Sequence, residues 1–132
     1  MSLEFVHREE EGIEIVSLKG CLAFGEGDLH FRQELDGLVK AGKCRVVLNL
    51  NDLSEMDTTG LGTLLYALAK LRKARGDLAL VSLKPAHAAV MMAARLATVF
   101  ELFKSEQDAI NHFFPGREVH RYDILEFAQS SP

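Results

Sequence analysis

Leu48, Asn49, Leu50, Asn51, Asp52, Leu53, Ser54, Glu55, Met56, Asp57, Thr58, Thr59, Gly60, Leu61, Gly62 is the stretch whose reading decides the fold. It begins inside Arg45 to Leu50, where Val46, Val47 and Leu48 form the unbroken apolar run of a strand covered on both faces. It ends inside a helix: Leu61, Leu64, Leu65, Leu68 and Leu71 recur at helical spacing, with Lys70, Arg72, Lys73 and Arg75 closing the segment before Gly76. A polar turn over Asn49 to Leu53 is expected between the two. At the helix start, the hydroxyls of Thr58 and Thr59 can cap free backbone N–H groups, and Gly60 and Gly62 lower the steric cost of any approach to that end. These residues alone leave two readings open: Asp57 and Thr58 are only caps, or the helix end receives an anion.

Working outward, Glu4 to His7 and Ile13 to Leu18 read as an antiparallel hairpin across the acidic turn Glu9 to Gly12. A loop with Gly25 and Gly27 follows. Asp28 can then cap a helix carrying Phe31, Leu35, Leu38 and Val39, which Gly42 ends. Beyond the leucine helix, Leu78 to Leu83 is a buried strand, Pro85 opens a helix to about Arg95, and Val99 to Phe103 is a last short strand. Ser105 with Asp108 forms a capping box for a helix to Phe114, stopped by Pro115 and Gly116. Strands alternating with helices predict an α/β fold: a mixed, mostly parallel sheet of four to five strands, an N-terminal antiparallel hairpin and about four helices. The expected organisation is one domain over residues 1–116 and a C-terminal extension over 117–132, in which Tyr122, Leu125 and Ala128 line an apolar stripe.

Composition narrows the function. A chain of 132 residues builds one core without help from disulfides. Its formal charge of -4 disfavours a phosphate backbone as partner, because nucleic-acid binding rests on clustered Lys and Arg. Cys21 and Cys44 lack metal-ligand spacing and read as free thiols in a reducing compartment. No stretch has the pattern of a secretion signal or of a membrane span, so a cytoplasmic location without membrane insertion is expected. His7, His30, His87, His112 and His120 include no pair at ligand spacing, which disfavours a metal. Ser17, Ser54 and Ser82 lack a nucleophile-elbow setting, and Phe24-Gly25-Glu26-Gly27 lacks the third glycine and the lysine of a phosphate cradle. No cofactor and no catalysis are expected. Phe24 either packs beside the following helix or stands out as a partner contact.

The segment from the apolar strand through Asp57, Thr58, Thr59, Gly60, Leu61 and Gly62 resembles the motif of STAS domains, the bacterial anti-sigma factor antagonists. Gly20 ending the second strand, the Asn49 to Leu53 turn, Gly76, and Asp108-Ala109 are similar as well, and the likeness runs from about Glu4 to Phe114. The resemblance implies that Thr58 is phosphorylated by a partner kinase, with Thr59 as the supporting cap. It further implies that Asp57, Thr58, Thr59, Gly60 and Leu61 meet an anti-sigma factor or a serine/threonine kinase-like protein, and an exposed Phe24 would join that contact. A homodimer is compatible with it. Many antagonists carry Gly, an acidic residue, Leu, Asp after the second strand, whereas this chain has Gly20, Cys21, Leu22, Ala23. That departure supports the alternative of an accessory subunit for a transporter or signalling scaffold. A sensor binding a small anion at Thr58 to Gly62 ranks third.

Overall fold

Glu11 and Gly12 both take left-handed backbone, with φ of 54° and 79°. That is the geometry of a two-residue hairpin turn, whose twist matches the strands it joins. It pairs β1 (Leu3–Glu10) antiparallel with β2 (Ile13–Leu22), Glu10 standing opposite Ile13. The computed structural model describes residues 2–122. After the hairpin come α1 (Glu26–Lys40), β3 (Arg45–Met56), α2 (Thr58–Lys73), β4 (Asp77–Val81), α3 (Pro85–Ala93), β5 (Glu101–Phe103) and α4 (Glu106–His112). The sheet has five strands in the order β1-β2-β3-β4-β5, and β2 through β5 are parallel. The α/β architecture expected from the strand and helix alternation is therefore present.

Because the strands follow one another in space as in sequence, right-handed crossovers place α1, α2 and α3 on the same face. Phe31, Leu35, Leu61, Leu64, Leu68, Leu71, Ala88 and Met91 share one core with Val16, Leu48, Leu78 and Leu80. On the opposite face Ile13, Ile15, Val47, Ala79, Val81 and Phe103 meet Ala109 and Ile110 of α4. Val46 and Val47 thus serve different cores, which is why the run shows no polar alternation.

Several local expectations are corrected. No turn interrupts Asn49 to Leu53, because β3 runs on to Met56. Its register against β2 jumps from Ser17↔Asn49 to Lys19↔Asp52, and again from Gly20↔Leu53 to Cys21↔Glu55. Each jump puts an extra residue on β3, so Leu48, Leu50, Leu53 and Met56 all reach the core despite uneven spacing. Gly20 lies within β2 and does not end it: its φ is 109°, and a Cβ there would sit 2.2 Å from the Ser2 carbonyl oxygen. Asp28 is not a cap. The helix starts at Glu26 behind Gly25, and the Asp28 carboxylate accepts from the Thr63 hydroxyl of α2 and from Arg32 at 3.0 Å. α3, β5 and α4 are shorter than expected. The Ser105 cap is present: Asp108 N–H donates to Ser105 Oγ at 3.1 Å, and that hydroxyl donates to Asp108 Oδ2 at 2.8 Å.

Residues 117–122 lie back on the domain. Tyr122 N–H donates to the Leu102 carbonyl at 2.9 Å, Arg121 bridges Phe103, and Arg117 pairs with Glu11 at 2.9 Å. Of the expected apolar stripe, Leu125 and Ala128 lie outside the described residues. Cys21 is buried and Cys44 half-buried, and no disulfide joins them.

Candidate functional site

The start of α2 is built by Asp57. Its backbone is extended, and its Oδ1 accepts the Gly60 N–H at 2.8 Å, which makes it the N-cap. Its Oδ2 accepts the Phe24 N–H at 3.2 Å, so one carboxylate ties the loop after β2 to the helix start. The capping role read for Thr58 and Thr59 is thereby corrected. Thr58 is the first helical residue and lies past the cap, exposed, and its hydroxyl has no partner among the described residues. Thr59 is half-buried, and its carbonyl accepts the Thr63 hydroxyl at 3.0 Å.

Gly60 and Leu61 work inward. A Cβ on Gly60 would stand 1.9 Å from the Leu22 carbonyl oxygen, so its bare backbone lets α2 sit directly on the end of β2. Leu61 is 2% exposed and belongs to the core. Neither offers a side chain to a partner; the residues that face outward here are Asp57, Thr58, Gly62 in part, and Phe24. Phe24 does not pack beside α1, since 85% of it is exposed, a poor place for a phenyl ring with nothing to meet.

A cleft of about 350 Å³ adjoins this rim, lined by Ala23, Ser54, Glu55, Asp57, His87 and Val90 among others. Cys21 Sγ lies 3.7 Å from Ser54 Oγ and 3.8 Å from Glu55 Oε2, and Ser54 donates to the Gly20 carbonyl at 2.8 Å. Cys21 thus stands near the end of β2 with the Glu55 carboxylate of β3 beside it. Sequence reasoning passed over His87, which is only 2% exposed and whose Nδ1 has no hydrogen-bond partner among the described residues. Burial and then the nearby Lys84 charge hold its imidazole below the usual range, against a hydrogen bond with the Ser54 backbone. Only the docking of α3 beside β3 gives His87 this environment, so no local pattern could have marked it. Among the described residues no cluster of His, Cys, Asp or Glu is arranged to hold a metal ion, and no helix is long and apolar enough to cross a membrane.

Fold and site together define a small α/β domain that presents a free hydroxyl at a capped, firmly seated helix start. The STAS domain pattern matches residues 4–109, and the chain belongs to that family. It is 25% identical over 111 residues to the anti-sigma F factor antagonist of Paenibacillus polymyxa, covering 83% of this chain and 94% of that one. Among solved structures, an anti-sigma factor antagonist from Mycobacterium paratuberculosis superposes with a TM-score of 0.70 at 21% identity, over 83% of this chain and 92% of the other. The unphosphorylated form of the Bacillus antagonist SpoIIAA gives 0.64 at 19% identity, over 85% and 99%. Its phosphorylated form gives 0.63 at 20% identity, over 83% and 99%. At these identities the structural likeness establishes the fold.

Proposed function

We propose that this domain is an anti-sigma factor antagonist of the cytoplasm that docks an anti-sigma factor or serine/threonine kinase-like protein and is released by phosphorylation of Thr58. The observation that carries the reading is the division of labour between Asp57 and Thr58. The carboxylate satisfies the helix, leaving the neighbouring hydroxyl exposed and uncommitted. A phosphoryl group added there gains only about 0.3–1 kcal/mol from the helix dipole, too little to reshape a packed fold. The effect is intermolecular. A phosphothreonine carries roughly -1.5 to -2 charge, and burying such an ion unpaired against a partner costs on the order of several kcal/mol, or about a thousandfold in affinity. Asp57 and Glu55 add like charge beside it. The role is regulatory, and the domain supplies the accepting hydroxyl while the partner supplies the phosphoryl donor.

The test is a pull-down from the source cell with wild type and Thr58→Asp, identifying retained proteins by mass spectrometry. An anti-sigma kinase held by wild type alone is the expected result; equal retention by Thr58→Asp overturns the switch. Cys21 and Ala23, standing where many antagonists carry acids, favour a second reading, a STAS accessory subunit of a transporter or signalling scaffold. In that case both variants retain a transporter ATPase or a scaffold assembly.

A further inference from the structure

Among the described residues β1 is an outer strand of the sheet, and its outer edge is laid out to pair with itself. The two-residue turn makes Glu10 and Ile13 a hydrogen-bonded pair, so the even-numbered residues of β1 direct their backbone groups to β2. The bond from Cys21 N–H to the Ser2 carbonyl, 3.1 Å, keeps the same parity. Leu3, Phe5, His7 and Glu9 therefore turn their N–H and C=O groups outward. Side chains of Glu4, Val6 and Arg8 lie on the α4 side of the sheet, where Arg8 reaches Glu106. All three are exposed, Val6 to 64%.

We infer that this edge binds β1 of a second copy, antiparallel, about a two-fold axis at Val6. Parity and charge select this register together. Hydrogen-bonded pairs across the new ladder must join odd residues, and centring on Val6 sets Phe5 against the second copy's His7. On the α4 side Val6 then faces Val6, at the closer, non-hydrogen-bonded spacing where apolar side chains touch best. Glu4 faces Arg8 twice, once on each side of the axis. The neighbouring allowed registers lose this match: centring on Phe5 sets Glu4 against Val6, and centring on His7 sets Glu4 against Glu10. Exposed edges are commonly guarded by charge. Here the guard reverses sign along the strand, and under a two-fold axis such a pattern attracts its own copy. Arg8 also contacts Glu10 and Glu106, and its guanidinium has donors enough for a further carboxylate.

Charge reversal tests the register without dissecting the fold. Glu4→Arg and Arg8→Glu each place like charges opposite one another at both symmetry-related positions, and each is expected to weaken self-association about tenfold. Mixed in equal amounts, the two variants restore both attractive pairs and associate as a one-to-one heterodimer. Sedimentation equilibrium across a dilution series reads the first effect, and native mass spectrometry of the mixture reads the second. Far-ultraviolet circular dichroism of each variant confirms that it folds. A wild type that stays monomeric throughout overturns the proposal. Variants that associate like wild type, or a mixture that fails to recover the dimer, overturn it equally.

Discussion

Two glycines separated by one residue at the start of α2 have opposite duties. A Cβ at Gly60 would collide with the Leu22 carbonyl at 1.9 Å, whereas one at Gly62 meets nothing within 4 Å. Gly60→Ala is therefore expected to destabilise the domain by about 1–3 kcal/mol as the helix is pushed off the sheet. Gly62→Ala is expected to stabilise it by up to about 1 kcal/mol through helix propensity. Urea denaturation of the two variants checks the pair, and equal effects would refute the contrast. The residues at this corner were legible as a cluster from sequence, because Asp, Thr and Gly at a strand-to-helix joint carry few other meanings. Which of them caps and which stays free was not legible: Asp57 and Thr58 both favour the N-cap position, and only the backbone turn assigns it. Leu61, expected at the partner surface, faces the core because helical phase places it with Leu64 and Leu68.

β3 shows where element-level reading falls short. Asn49, Asn51, Asp52 and Ser54 have the composition of a turn, yet pairing with β2 holds them extended, and two bulges absorb the broken alternation. A single chain shows the period but not the partner that overrides it. The docking of α3 against the end of β3 is likewise invisible locally, and it has a titratable consequence through His87. Its pKa is lowered from 6.5, first by burial, so the folded state binds fewer protons than the unfolded chain. Its contribution to stability is complete above pH 6.5 and is lost as pH falls through the folded-state value. Denaturant midpoints measured over that window are expected to decline in wild type, and the decline is expected to be shallower in His87→Phe. Parallel slopes in the two proteins would show that His87 does not titrate in the folded state as its burial requires.

At the scale of the whole molecule, the order of strands and helices in the chain was enough to give the α/β class, since right-handed crossovers leave few arrangements for this alternation. The boundary expected at residue 116 is a matter for experiment. A Pro115-Gly116 stop reads as a boundary, but residues 117–122 return to β5 through the Tyr122 to Leu102 and Lys104 to His120 backbone bonds and the Arg117–Glu11 pair. Truncation after Gly116 is accordingly expected to lower stability by about 1–3 kcal/mol, as the backbone bonds that hold residues 117–122 are lost. A truncated chain with an unchanged urea midpoint would place the boundary at 116.

Because spatial order repeats chain order from β1 to β5, each strand leaving the ribosome finds the edge it needs already made. Each parallel pairing spans one crossover helix, as Ser17 with Asn49 or Arg45 with Asp77, and no strand has to pass over another to reach its neighbour. Growth proceeds in one direction, and the interior strands are covered on both sides as synthesis passes them. The edge laid down first, that of β1, is then the one that stays available longest to any neighbour in the cell.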